Sequence, residues 1–164
     1  ITKTLFPSEI LPVSVLIANL VNHLIGLGIF LAVAILYLQK LSWLLLLVPV
    51  YLLALSLFAL GLSWFVSSVQ VFLRDTAQVL SVVLTFWFWL TPIFFDEQRL
   101  PQSLRFLMQL NPLAAVVTAY RKCLLRFETP SLEALLYLYL FALGSFLAGG
   151  LFFRYTKRSF ADVL

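Results

Sequence analysis

Three polar side chains, Asn19, Asn22 and His23, stand in an otherwise apolar stretch. Their spacings of three and four place them on one face of a helix. Polar groups in hydrocarbon are costly unless paired or wetted. The stripe therefore either faces a translocation path or bonds to a neighbouring helix, with Gly26 permitting close approach. A second group is aromatic: Phe86, Trp87, Phe88, Trp89, Phe94 and Phe95, with Tyr120 further on. Aromatic faces stack on sugar rings or on acyl chains, which suits a bulky amphipathic substrate. An interfacial belt of rings explains part of the cluster. Consecutive rings at helical pitch point in all directions, however, so some face protein or a lumen. Asn19, Asn22, His23, Trp87, Trp89, Phe94, Phe95 and Tyr120 are the candidate path residues.

Covalent and metal chemistry find little footing. The chain has one histidine, with no carboxylate near it in sequence, and one cysteine, Cys123. That excludes an internal disulfide and a cysteine-based metal cage. It has no phosphate-binding loop, no H-E-x-x-H and no nucleophile elbow. Glu133 falls in the first turn of a helix, where the dipole favours an anion. No apolar stretch carries an acid near its centre, which argues against a proton-coupled carrier. The expectation is a chain that is not an enzyme and holds no catalytic residue, metal or cofactor of its own. If it drives active transport, the energy source sits on another chain. No basic run with interleaved aromatics marks a nucleic-acid surface.

The elements that must position these residues are set by lipid. Of 164 residues, 63% are hydrophobic and 11% charged. Soluble domains sit near 45–50% apolar and about 25% charged, and a chain of this size could not bury the excess in water. The reading is an all-α membrane protein, one transmembrane domain over residues 1–164. Four stretches are long enough to cross: residues 13–38, 42–71, 76–95 and 131–153. Thr129 and Pro130 are the expected cap and first residue of the last one. Ser56, Ser63 and Ser67 read as packing positions on the second. Two shorter helices lie between the third and fourth spans. Residues 100–110 form an amphipathic, interfacial helix after Pro101. Asn111 caps and Pro112 opens a piece over 113–125, whose apolar run ends at Arg121 and Lys122 and suits a re-entrant or interfacial helix. The net charge is +4. Four crossings put both termini on one side, and the basic tail Arg154, Lys157 and Arg158 places that side in the cytoplasm.

Several stretches, in order, resemble a known family. They are FPSEILP (residues 6–12), FLRD (72–75), WFWLTPIFF (87–95), Leu100-Pro101, LNPLAAVVTAYR (110–121) and the ending RYTKRSFADVL (154–164). Together they resemble the ABC-2 type permeases that export O-antigen, capsule and teichoic-acid polysaccharides. The resemblance implies the membrane subunit of an ATP-driven exporter of lipid-linked polysaccharide in the bacterial cytoplasmic (inner) membrane. It implies a homodimer of permeases among membrane lipids, with two nucleotide-binding ATPase subunits that carry ATP and Mg. It implies six spans, so the chain corresponds to the C-terminal part of the permease, with an amphipathic start and two spans expected ahead of it. Thr4, Phe6, Pro7, Glu9, Arg74 and Asp75 would lie on the face that meets the ATPase; they equally suit ordinary solvated loops. Two other readings stay open: an ABC-2 exporter of a drug or lipid, and a non-transporting membrane scaffold.

Overall fold

The computed structural model of the chain describes residues 9–39, 42–95, 108 and 110–160. Every regular element among them is helical. The chain divides into two compact units, Ile1–Leu41 and Ser42–Leu164. The first unit holds α1, Ile10–Leu38. It closes at Gln39, which adopts the left-handed conformation (φ 50°) and donates its N–H to the Ile35 carbonyl. On its polar stripe, Asn19 Nδ2 donates to the Val15 carbonyl one turn back, at 2.9 Å. One N–H of this amide is thus bonded inside its own helix.

The second unit opens with a 3-10 turn, Trp43–Leu47, started by Ser42, whose hydroxyl accepts the Leu44 N–H. The turn runs into α2, Val48–Phe72, with Pro49 in its first turn, where the missing N–H costs nothing. Then come α3, Thr76–Leu90, and α4, Pro112–Arg121, which continues as a π turn, Lys122–Arg126. The last helix, α5, is Leu132–Thr156, with a 3-10 tail Lys157–Ser159.

Among the described residues, three helical stretches are long and apolar enough to cross a membrane: Ile10–Tyr37, Trp43–Phe72 and Leu132–Ser159. The third expected span is shorter than its apolar run. α3 has 15 residues, about 22 Å at 1.5 Å per residue, against about 30 Å of hydrocarbon. It stops because Pro92 crowds the residue before it out of the α region. Thr91 is extended, at φ −89° and ψ 132°. The last helix starts at Leu132 with Ser131 as its cap residue, not at Thr129 and Pro130. Phe127 takes a left-handed turn (φ 56°) to close the π turn, and the chain uses the next residues to redirect itself.

The core of the second unit is the seam between α2 and α5, which run parallel. Tyr139 donates its hydroxyl to the Val50 carbonyl (3.0 Å) and Ser145 to that of Phe58 (3.2 Å). Phe65 stacks on Phe152 and Phe72 on Phe160. The two hydroxyl bonds have sequence offsets of 89 and 87, so the register holds along the seam. Buried positions alternate by three and four: Tyr51, Ala54, Phe58 and Gly61 on α2, answered by Leu138, Ala142 and, a heptad on, Gly149 on α5. That is the spacing of knobs-into-holes packing. At Gly61 and Gly149 the backbones themselves touch. A Cβ on Gly149 would overlap the Gly61 backbone, and one on Gly61 would overlap Ser145. Close approach of this kind needs glycine. The expected triad Ser56, Ser63 and Ser67 is not the seam. Ser56 and Ser67 donate to carbonyls of their own helix, Leu52 and Trp64, and Ser63 is exposed. The buried serine is Ser68. α4 packs near the N-terminal halves of α2 and α5, adding Val116 and Ala119 to the core.

Candidate functional site

The elbow between α3 and α4 must satisfy backbone groups that have left a helix. Away from water each unpaired group is costly, and irregular backbone at membrane depth needs protein partners. Pro92 has no N–H. Thr91 donates its N–H to the Phe88 carbonyl (3.1 Å) and Ile93 to that of Thr91 (2.7 Å). Two side chains at the ends of α4 add further bonds.

The first is Asn111, the cap of α4. Its Oδ1 accepts from the Leu113 N–H (3.0 Å) and from the Trp87 indole N–H (2.9 Å). Its Nδ2 donates to Thr91 Oγ1 (3.1 Å), which donates in turn to the Trp87 carbonyl (2.8 Å). Asn111 is 5% exposed and Thr91 3%. The C-terminal end of α3 thus meets the N-terminal end of α4, opposite poles of two helix dipoles. The second side chain is Arg121, the last residue of α4. Its Nη1 donates to the Phe95 carbonyl (3.2 Å), and its Nη2 to those of Pro92 (2.9 Å) and Ile93 (3.2 Å). The elbow is therefore tied to both ends of α4.

Height follows from the contacts. Trp87 packs edge-on against Phe58, with ring centroids 6.0 Å apart, and Phe58 lies near the middle of the Trp43–Phe72 stretch. An open, largely apolar groove of about 780 Å³ joins Asn111 and Pro112 to Phe58, Gly61 and Gly149. The π turn Lys122–Arg126 packs instead beside the Trp43–Leu47 turn. α4 therefore climbs from the middle of α2 to its N-terminal end.

The aromatic run divides. Trp87 is half-buried and bonded. Trp89 and Phe94 are 66% and 73% exposed, and Phe88 completes a cluster with them at centroid distances of 5.7 to 6.3 Å. Phe95 is half-buried, with its carbonyl held by Arg121. Tyr120 is half-buried against the core cluster. Trp87, Trp89, Phe94 and Phe95 thus share the elbow. Asn19, Asn22, His23 and Glu9, the residue before α1, belong to the first unit. Arg74 and Asp75 are exposed in the turn between α2 and α3, at the far end of α3 from the elbow. Asp75 stands at the α3 cap position but makes no side-chain cap bond. Thr4, Phe6 and Pro7 lie outside the described residues, as does the expected 100–110 helix apart from Met108 and Leu110. Leu110 accepts the Tyr137 hydroxyl through its carbonyl (2.7 Å).

Sequence reasoning gave Asn111 only a capping role, Thr91 only a break, and Arg121 only the end of an apolar run. The available signal was the pairing of Thr91-Pro92 with Asn111-Pro112: two polar residues, each next to a proline that breaks a helix. Among the described residues no group of three or more His, Cys, Asp or Glu side chains could hold a metal ion. Cys123 is 1% exposed, and burial pushes its thiol up.

The sequence that builds this layout is similar to those of known proteins. The chain is 30% identical over 164 residues to the O-antigen export system permease protein RfbA of Myxococcus xanthus, covering 99% of this chain and 63% of the relative. It is 25% identical over 166 residues to the O-antigen export system permease protein RfbA of Klebsiella pneumoniae, covering 100% of this chain and again 63% of the relative. The chain thus spans 63% of the length of each of these relatives. Residues 4–125, a stretch that holds α1 to α3, the elbow and α4, match the family described as ABC-2 type transporter, and with most of its length inside that match the chain belongs to the ABC-2 type transporter family.

Proposed function

We propose that this chain is the membrane subunit of an ATP-driven exporter that moves lipid-linked polysaccharide across the bacterial cytoplasmic membrane. The observation that carries this reading is the likeness of the whole chain to O-antigen export permeases, added to the family match. In this reading residues 1–164 act as one permease domain and two permease copies pair. Separate nucleotide-binding subunits hold ATP and Mg and drive the pair. Thr4, Phe6, Pro7, Glu9, Arg74 and Asp75 face those subunits.

Four crossings with a re-entrant α4 are supported by direction. α2 and α5 are parallel, so the chain must return between them. α3 and the extended residues 91–95 supply that return. The beginning of α4 near mid-height supports the re-entrant reading. The basic residues Arg154, Lys157 and Arg158 at the end of α5 favour a cytoplasmic C-terminus. The elbow then opens outward and serves as an exit. Trp89 and Phe94 offer free ring faces to the passing sugar, while Trp87 holds the elbow together. Asn19, Asn22 and His23, the other candidate path residues, give the first unit a polar stripe of its own.

Glycan export in a deletion strain carrying full-length variants tests the proposal. Trp89→Ala with Phe94→Ala should lower surface polysaccharide by about tenfold, since each lost ring contact is worth about 0.5–1.5 kcal/mol. The ATPase subunit should still co-purify. Unchanged glycan in the deletion strain would remove the substrate assignment and leave a drug or lipid. Failure of any ATPase to co-purify with the wild-type protein would remove the engine and leave a scaffold.

A further inference from the structure

The bonds of Arg121 separate two roles that a cation at an exit could play. It could attract an anionic group of the cargo, or it could shape the protein. Its guanidinium reaches back 26 to 29 residues to three carbonyls of one short segment, those of Pro92, Ile93 and Phe95. All three acceptors are main-chain carbonyls, so these bonds are not themselves charge pairs. What they require is a fork of N–H donors spread over several ångströms, which guanidinium has and ammonium lacks. Those carbonyls belong to backbone that has left α3 and has no helix ladder to enter. Without the fork they would need water or another donor. The same segment carries Phe94, whose ring closes the cluster with Phe88 and Trp89. Asn111 fixes only the start of the elbow, at Thr91. From Pro92 onward, the hydrogen bonds that tie it to α4 among the described residues come from Arg121.

We propose that Arg121 is a positioning residue: it acts through the backbone of residues 92–95 to hold the Trp89–Phe94 cluster in place, and not by binding the cargo. This role rests on the transport reading for its functional consequence, but the clamp itself does not. Ile93 and Val117 line one small cavity of about 210 Å³ between the elbow and α4, so a cysteine pair there reports the clamp directly.

The experiment uses the full-length protein in its native membrane, with Ile93→Cys and Val117→Cys joined by a short bis-maleimide. Cys123, the one cysteine of the 164 residues, is buried, and any cysteine outside them is replaced first. Arg121→Gln should slow cross-linking by about tenfold, as expected when hydrogen bonds to a charged group are lost. Arg121→Lys should resemble Arg121→Gln, because it restores the charge without the fork. Glycan export should fall in parallel in both variants while the protein still accumulates. Three results would overturn the proposal. One is export rescued by Arg121→Lys but not by Arg121→Gln, which makes the charge itself the agent. Another is lost export with cross-linking unchanged in Arg121→Gln, which makes Arg121 a direct cargo contact. The third is wild-type cross-linking and export in both variants. If the wild-type protein exports no glycan, the transport reading falls, and cross-linking in Arg121→Gln alone decides for or against the clamp.

Discussion

Asn111 satisfies three partners with one carboxamide, and its neighbours have no obvious substitutes. Removing it strands the Trp87 indole N–H and the Leu113 N–H, and takes a donor from Thr91. Buried donors left unpaired cost about 1–3 kcal/mol each. Asn111→Ala should therefore destabilise the protein by about 3 kcal/mol in denaturant titration of the detergent-solubilised protein. Trp87→Phe, which keeps a ring against Phe58 and loses one donor, should cost about 1 kcal/mol. Equal effects from the two changes would mean that the carboxamide is not the hub. Cys123 makes the opposite case, a reactive group silenced by its surroundings. It is 1% exposed, and its thiol is pushed up by burial. A raised value leaves less thiolate at neutral pH, and thiolate is the reactive form. Native protein should resist a membrane-permeant maleimide that labels it fully once unfolded. Rapid labelling of the folded protein would contradict the packing around α4.

Among the elements, the pairing of α2 with α5 rests on two glycines whose side of the helix admits nothing larger. Overpacking in a tight core costs about 1–3 kcal/mol, and here the obstacle is backbone, which cannot swing aside. Gly149→Val should lower stability by about 3 kcal/mol and reduce accumulation in the membrane. Gly144 is the control on the same helix, since a Cβ there meets nothing within 4 Å. Gly144→Ala should be neutral or gain up to about 1 kcal/mol from helix propensity. The seam also shows where sequence reading stops. Helix positions and the break at Thr91-Pro92 were legible because apolar length and proline act locally. The contact face was not, because lipid is as apolar as a helix interface, so the polar-against-apolar contrast that marks a core in water is missing. Serine spacing pointed to Ser56, Ser63 and Ser67, when the true face carries Ala54, Gly61 and Ser68. Arg121 was hidden for another reason. Its partners lie more than two dozen residues away and are carbonyls, which no residue type announces.

At the scale of the whole molecule, direction is the property that ties fold to transport. Parallel α2 and α5 place the Leu73–Asp75 turn and the Lys157–Ser159 tail at one end of the second unit. The segment between the π turn and α5, which holds Glu128, falls at the other. The stretches Trp43–Phe72 and Leu132–Ser159 are each long enough to cross, so the two ends should face opposite sides of the membrane. Asp75, Glu128 and Lys157 are all exposed, so a cysteine at each is open to a reagent from its own side. In sealed, right-side-out cells, Glu128→Cys should react with a membrane-impermeant maleimide. Asp75→Cys and Lys157→Cys should react only in inverted vesicles, where the basic tail becomes accessible. Labelling of all three from one side would remove the return crossing that α3 is assigned. Labelling of Asp75→Cys and Lys157→Cys from outside would invert the protein and turn the elbow from an exit into an entrance. The predicted pattern leaves the elbow of α3 and α4 opening toward the outer side, with the Arg74-Asp75 turn in the cytoplasm, where the proposed ATPase subunit would meet the other end of α3.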